Sequence, residues 1–521
     1  MLHILIGGAG CGKSTCLIQH LQKQLEAGEQ ILTLVPEQFS YEFDQKLYRI
    51  LGPVAFNQLE THSFKSLARA VFQRFGCVPD GKTNADELTK MALLYQAVLQ
   101  VSEREKKLQL LGKQCRQASF VSELAMMFTQ FRRSGIPPEQ LYNSSAELNG
   151  RLQEKRLDVF EIYQRYDRLL EQHQLKDTET DLSEAAAIAN GHDAFLGDVI
   201  FLDEFESFTE DEYQMLSVLL SSGKDLYIAL RMEHTRKEPF SLFAAVQETF
   251  CKIQDMAKKL RIPVETEVCD TPYRFQAAEL SWLNQHVFRN TQPFSGEAPH
   301  LHILEAQSPT EEVDYVCATI RRLLAKDHTL RCRDIAVLSN QMTDYRSILE
   351  TAMERYKLPY YMDEKESMLY TPLLVYLHTL LGILRQTRPD TELLMRLGKT
   401  SLTSCSVEEI SDLENYCYMW QIDGKTWNMP FTAGNFASAE AVRLKLLTPL
   451  QELREKLKGQ HTGAEFCSML YQFLTEQQVE EQLNRQLKMI ADEQKRMQTS
   501  EEWALVWNSF IDILEHLSTL Y

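Results

Sequence analysis

The residues best equipped for chemistry stand near the start of the chain. Gly7-Gly8-Ala9-Gly10-Cys11-Gly12-Lys13-Ser14 fits G-x-x-x-x-G-K-[ST] throughout, with Thr15 next in line. Glycines let the backbone curl so that consecutive N–H groups point inward and cradle phosphate oxygens. Lys13 is the point charge for the β and γ phosphates, and Ser14 offers a hydroxyl to Mg²⁺. Such a loop also aims the N-terminal N–H groups of the following helix at the anion. The second half of a nucleotide site is an acidic pair closing a buried strand, and VIFLDEFESF supplies one. There Asp203 would hold the Mg²⁺ shell with Ser14, and Glu204 would polarise an attacking water. The bland alternative for Asp203 and Glu204 is a solvated acidic turn after an ordinary strand.

These residues need elements to hold them. LHILI (2–6) is an apolar run entering a Gly turn, as a buried parallel strand does. Leu17, Ile18, Leu21 and Leu25 fall at helical spacing, with Gly28 placed to end that helix. ILTLV (31–35) is a second buried strand, which makes the opening a βαβ unit. From about 76 to 190 the pattern turns helical, with stripes at Leu88, Met91, Ala92, Tyr95, Val98; at Phe120, Leu124, Met127, Phe128, Phe131; and at Leu152, Val159, Phe160, Tyr163, Leu170, and no β-like run between them. Strands return at VIFLDE (199–204), DLYIAL (225–230) and PVETEV (263–268), with Thr209 and Glu212 at capping-box spacing. A second α/β pattern follows: HLHILEA (300–306), a helix bearing Val313, Val316, Ile320 and Leu323, then DIAVLS (334–339) and PYYMD (359–363). Beyond about 385 the chain reads helical; Trp282, Trp420 and Trp427 are expected to be core or interface residues.

The expected fold class is α/β, a P-loop NTPase with two RecA-like parallel-sheet domains and helical insertions. Residues 1–75 and 191–268 form the first domain, 76–190 its helical insertion, 269–385 the first part of a second domain, and 386–521 a further helical insertion. A length of 521 residues allows about three or four domains. Composition is globular, at 44% hydrophobic and 25% charged. No apolar run reaches the ~18 residues of a membrane span, and the first residues lack a signal peptide's basic region. A cytoplasmic protein without membrane contact is expected. Cys11, Cys16, Cys77, Cys115, Cys251, Cys269, Cys317, Cys332, Cys405, Cys417 and Cys467 form no CxxC pair, which reads as a reduced, mostly buried set rather than disulfides or zinc. The net charge of −18 argues against a free-standing DNA binder, whose affinity rests on phosphate neutralisation. DNA contact would need a local groove or a basic partner.

The order of features resembles a known family. ILTLVPEQ and LETHSFKSLARAVFQRFG resemble motifs Ia and Ib of UvrD-type superfamily-one helicases, where a comparable segment lies along single-stranded DNA. The resemblance therefore assigns DNA contact to Thr61, His62, Ser63 and Phe64, with a buried Phe and a structural His as the alternative. DEF (203–205) resembles motif II. TPYRF (271–275) resembles the motif whose arginine, here Arg274, reaches the γ-phosphate. VPEQFSYEFD, FTEDEYQML, EEVDYVCATIRRLL, RDIAVLSNQMTDY and LPYYMDEKESMLYTPLL are similar to AddB, one half of the bacterial AddAB helicase–nuclease. This resemblance implies ATP and Mg²⁺ as ligands, an AddA-like motor and nuclease subunit as heterodimer partner, and double-strand DNA ends and single-stranded DNA as substrates. It also implies recombinational repair and, in the family, recognition of Chi.

Departures from the helicase pattern shape the expectation. Met1 lies six residues before Gly7, leaving no room for the Gln motif that reads adenine. LYIALRMEHTR lacks the Asp and Gln that couple hydrolysis to movement, and Glu206 stands where motif II has Gln. Glu204 is present, so a catalytic acid is available. The nuclease motif and iron–sulfur cysteines of AddB proteins, which lie in their carboxy-terminal part, do not occur, so the expectation is an amino-terminal portion that does not itself cleave DNA. The leading reading is a degenerate helicase-like module that binds ATP and DNA. The alternatives are an active ATP-driven translocase and an assembly scaffold with a vestigial nucleotide site.

Overall fold

Strand β1 (Leu2–Gly7) is apolar on both faces, and it folds as such runs must, between two other strands and two helical layers. In the computed structural model, which describes residues 1–76, 82–104, 108–115, 117–143, 150–236, 241–287, 293–362 and 367–520, the chain forms two compact units, Met1–His302 and Ile303–Tyr521. After β1 the first unit contains α1 (Lys13–Glu26), β2 (Ile31–Leu34), α2 (Ser40–Phe56), β3 (Leu59–His62) and α3 (Phe64–Phe75). There follow β4 (Thr83–Ala85), α4 (Glu87–Leu99), α5 (Ala118–Arg133), α6 (Pro138–Asn143), α7 (Gly150–Gln172), β5 (Leu175–Asp177) and α8 (Asp181–Gly191). It closes with β6 (Val199–Leu202), α9 (Glu210–Ser222), β7 (Asp225–Arg231), α10 (Ala244–Lys259), β8 (Val264–Val268) and α11 (Ala278–His286).

Six strands make one parallel sheet in the order β3-β2-β6-β7-β1-β8. Side chains alternate between its faces. Ile4, Ile6, Leu34, Ile200, Leu202 and Ile228 pack with α3, α8, α9 and α10. Leu5, Ile31, Phe201 and Ala229 pack with α1 and α2 on the other side. The five expected strands of this sheet are present. Gly28 stands past the end of α1 with φ 79°, its N–H on the Leu25 carbonyl, and Thr209 and Glu212 form the expected capping box. β3 was not anticipated as a strand.

The insertion between α3 and β6 differs from expectation in two ways. β4 and β5 pair as a short parallel ribbon inside a stretch read as uninterrupted helix; each is three residues of mostly polar character, too short for an alternating pattern. The buried face of α4 is Thr89, Lys90, Leu93, Leu94, Ala97 and Val98, while Leu88 and Tyr95 are exposed. The face is offset because it includes a buried cation: Lys90 Nζ lies 2.9 Å from Asp177 Oδ1, and Asp177 Oδ2 lies 3.2 Å from Arg132 Nε. Arg132 also pairs with Asp167, and its guanidinium sits 5.6 Å from the ring centroids of Tyr163 and Tyr166. The network ties α4, α5, α7 and β5 together.

The second unit is helical: α12 (Pro309–Lys326), α13 (Met342–Arg355), α14 (Pro372–Arg385), α15 (Thr391–Lys399), α16 (Val407–Trp420), α17 (Phe436–Lys456), α18 (Gly463–Glu476), α19 (Val479–Met489) and α20 (Glu493–Leu520). Trp427 is fully buried in the core of α14–α20 and donates to Thr391 Oγ1, whereas Trp420 is partly exposed. A second parallel sheet is not formed among the described residues. HLHILEA, DIAVLS and the described part of PYYMD carry no strand ladder, and Ile303, Leu338 and Tyr361 are almost fully exposed. An apolar run records what a segment would bury, not whether a neighbouring strand is there to close its backbone hydrogen bonds. Asp363, like Cys77, lies outside the described residues. No helix among the described residues is long and apolar enough to cross a membrane.

Candidate functional site

The glycine loop leaves β1 at Gly7 and enters α1 at Lys13, with Gly12 as N-cap. Two glycines are there for space. A Cβ on Gly7 would lie 2.5 Å from the Cys269 carbonyl oxygen, and one on Gly10 would lie 2.5 Å from Arg274 Cβ. Gly10 also holds φ +74°, a conformation that costs an L-residue about 1–2 kcal/mol. The close neighbour is the segment after β8, where the N–H groups of Tyr273 and Arg274 both donate to the Gly10 carbonyl, at 3.0 and 3.3 Å. The TPYRF segment thus covers the loop, and Arg274 is a wall of the site.

Behind the loop lies a cleft of about 460 Å³. It gathers Ala9, Gly10, Gly12, Lys13, Ser14, Thr15, Asp203, Glu204 and Arg274, together with Lys46 of α2, Arg231 at the end of β7, and Tyr273. Gly7 and Gly8 are buried beneath it, and Cys11 is 8% exposed with its thiol toward the Ala9 carbonyl. Lys13 Nζ donates to the Gly8 carbonyl at 2.8 Å. Burial lowers its pKa, with Cys11 and Asp203 pulling the other way. Four cations converge here in a chain that is acidic as a whole. Arg231 is paired with Glu206.

Asp203 follows β6 and is 4% exposed. Its Oδ1 accepts the Glu204 N–H at 2.9 Å, while Oδ2 is buried without a hydrogen-bond partner. Burial raises its pKa, opposed first by the Ser14 hydroxyl. A buried carboxylate oxygen without a donor, facing a serine hydroxyl and a lysine, has the chemistry of a cation ligand. Glu204 holds φ +64°, a strained conformation for a residue with a Cβ. It lines this cleft and an adjoining one of about 510 Å³ formed by Pro36–Phe39, Ser63–Lys65 and Glu204–Ser207.

Of the residues expected to touch DNA, Ser63 and Phe64 line that second cleft, while Thr61 and His62 end the strand β3 that leads to it. Ser63 is the N-cap of α3, exchanging hydrogen bonds with Ser66. His62 Nδ1 lies 3.3 Å from Ser66 Oγ, and Thr61 Oγ1 accepts from Thr33 Oγ1 at 2.8 Å beneath it. Phe64 is 4% exposed and packs edge-on against Phe205 and Phe208, with ring centroids at 5.5 and 5.9 Å. The ring expected to stack on a base is core, and no free face remains for one.

Lys46, Arg231 and Tyr273 were not anticipated. Tyr273 adjoins the recognised Arg274, so the motif itself carried the signal. Lys46 and Arg231 have none, because each is an ordinary helix or strand-end cation until the strand order places it.

Fold and cleft together define a mixed α/β protein with a phosphate-loop sequence at the carboxyl end of the third of three adjacent parallel strands, β6, β7 and β1. Comparison with known proteins gives the particular family. A family model described as "ADDB, N-terminal" matches residues 4–284, and the chain belongs to that family. It is 25% identical over 532 residues to the B-type subunit of the ATP-dependent helicase/deoxyribonuclease of Clostridium novyi, covering 99% of this chain and 46% of that protein. The proteins of the same name from Clostridium tetani and Clostridioides difficile are 27% and 25% identical, covering 99% and 100% of this chain and 47% of each relative. The chain spans about half the length of the curated relatives it matches.

Proposed function

We propose that the first unit is a Mg²⁺–nucleotide seat within a helicase-like module, and that the module belongs to one half of a heterodimeric helicase–nuclease that processes double-strand DNA ends for recombinational repair in the cytoplasm. The observation that carries this reading is the orphaned Asp203 Oδ2, buried in the same cleft as Lys13, Ser14 and Arg274. In that seat Lys13 neutralises phosphate charge, the loop N–H groups hold phosphate oxygens, and Ser14 with Asp203 hold the cation. Mg²⁺, when bound, spreads the negative charge of the β and γ phosphates. Arg274 faces the end of the nucleotide from the covering segment, and Glu204 stands where a water would be oriented. Ser63 lines the neighbouring cleft, and Thr61 and His62 precede it on β3, as backbone and hydroxyl contacts for a single strand.

The motor is degenerate in this reading, because LYIALRMEHTR, the strand after motif II, lacks the coupling Asp and Gln. The partner that drives is an AddA-like subunit; Chi recognition goes with the helicase-like part, and an iron–sulfur cluster with the carboxy-terminal part of AddB proteins. Residues 1–75 and 191–268 are a first RecA-like domain. Residues 269–385 are the first part of a second such domain in this reading.

The test titrates the purified chain with a fluorescent ATP analogue and Mg²⁺. Saturable Mg²⁺-dependent binding lost in Lys13→Ala is expected, with little DNA-stimulated turnover. Strong DNA-stimulated hydrolysis abolished by Lys13→Ala would replace this reading with a working translocase. Absence of saturable binding would leave an assembly scaffold.

A further inference from the structure

The sequence shows no CxxC pair, yet the fold assembles a set of metal-ligand types on the side of α1 away from Asp203. Cys16 and His20 are one helical turn apart on α1, so both project toward the edge strand β8. Glu267 of β8 meets them: Cys16 Sγ lies 3.3 Å from Glu267 Oε1, and His20 Nε2 lies 3.2 Å from Oε2. One ligand atom from each of the three lies within 4.8 Å of the others. The His20 ring is steered by stacking on Tyr227, at 5.2 Å between centroids, and Gln24 fixes that ring by donating to its hydroxyl at 3.3 Å. His20 and Glu267 are 28% and 50% exposed at the side chain, so an ion has a way in. Cys269, two residues along, neighbours the Cys16 thiol.

We propose that Cys16, His20 and Glu267 form a binding site for a borderline-soft divalent cation of the zinc class. One thiolate, one imidazole and one carboxylate is a donor set that such an ion takes in tetrahedral geometry, with a fourth position for water or Cys269. Hard Mg²⁺ and Ca²⁺ prefer all-oxygen shells. On binding, the Cys16 S–H bond breaks, its proton passes to solvent, and an Sγ–metal bond forms. The site is separate from the pair Ser14 and Asp203, because β7 and β1 lie between β6 and β8. Its effect reaches the loop all the same. Cys16 is three residues past Lys13, and β8 leads directly into the segment that covers Gly10. The cation would rivet α1 to β8 and hold that cover in place without touching the nucleotide.

The test uses the whole chain, stripped with a chelator and titrated with Co²⁺, then Zn²⁺. One equivalent of Co²⁺ should produce a thiolate-to-cobalt charge-transfer band and the visible bands of tetrahedral cobalt, both erased by Zn²⁺. Cys16→Ser should abolish the charge-transfer band, and His20→Ala and Glu267→Gln should each weaken binding by at least the roughly 10–100-fold that losing a mere outer-shell partner costs. Glu267→Gln is the check on folding, since its half-exposed side chain can change without disturbing the metal-free melt. Lys13→Ala should leave the cobalt spectrum unaltered, which separates this site from the nucleotide seat. Absence of the charge-transfer band, its survival in Cys16→Ser, or unchanged affinity in both other variants overturns the proposal.

Discussion

Asp203→Asn should push the nucleotide-free and nucleotide-bound proteins in opposite directions. In the free protein the Asp203 carboxylate is 4% exposed and its Oδ2 has no donor. A buried acceptor left unsatisfied costs about 1–3 kcal/mol, and more when charged. Asparagine keeps the shape and removes the charge, so the free variant should gain on the order of 1 kcal/mol, or roughly 1–2 °C in melting temperature for a unit of this size. The sign agrees with linkage. Burial raises the folded-state pKa above 3.8, so the folded protein resists ionisation. Stability is therefore lost as pH rises from the unfolded value to the folded one, and the deficit is complete above it. The variant should flatten that stretch of the pH profile. With Mg²⁺ and nucleotide at 100 times the dissociation constant, the parent gains about 2.7 kcal/mol. A variant bound 100-fold more weakly gains only about 0.4 kcal/mol at the same concentration. Differential scanning fluorimetry with and without Mg²⁺–ATP should therefore show the two melting curves changing order. A free variant less stable than the parent, together with an undiminished nucleotide shift, would refute the assignment of Oδ2 as a vacant cation ligand.

Other changes test neighbouring parts of the argument. Gly10→Ala places a Cβ 2.5 Å from Arg274 Cβ at φ +74°; it should cost about 1–2 kcal/mol of stability and weaken nucleotide binding, both measurable in one melt series. Phe64→Ala should destabilise the first unit by about 3–5 kcal/mol, while the milder Phe64→Leu should leave single-strand affinity in a fluorescence-anisotropy titration unchanged, since the ring is core. Arg132→Leu leaves Asp167 and Asp177 without their shared cation and should cost about 3–5 kcal/mol, read by urea denaturation.

The sheet was legible because parallel strands buried on both faces are continuous apolar runs, and LHILI, ILTLV and DLYIAL need no context to be recognised. β3 escaped because only Leu59 of Leu59–His62 is apolar and the strand sits at the sheet edge. The face of α4 was misplaced because Lys90 is buried only by virtue of Asp177, a partner far along the chain. The loop and the acidic pair were visible as local spacing. Lys46, Arg231 and Glu267 were not, because the tertiary fold, not spacing, brings them to their partners; Cys16 and His20 share a helical face, but nothing local shows that Glu267 meets it. The second sheet is not seen among the described residues: HLHILEA and DIAVLS have the composition of strands, but no strand there pairs with them.

The strand order has a consequence for how this protein comes off the ribosome. The glycine loop is made long before its supports, because β1 lies between β7 and β8, pairing Leu2 with Leu226 and with Val264. β2 likewise waits for β6, with Ile31 opposite Val199. Neither strand that flanks β1 has been made when the helical insertion begins to emerge. The cover over Gly10 comes later still, at Tyr273 and Arg274. The earliest-made residues of the cleft thus wait longest for the structure that makes them a site. A ribosome stalled anywhere between the loop and that cover would display a complete phosphate-loop sequence without the full set of supports that shape its cleft.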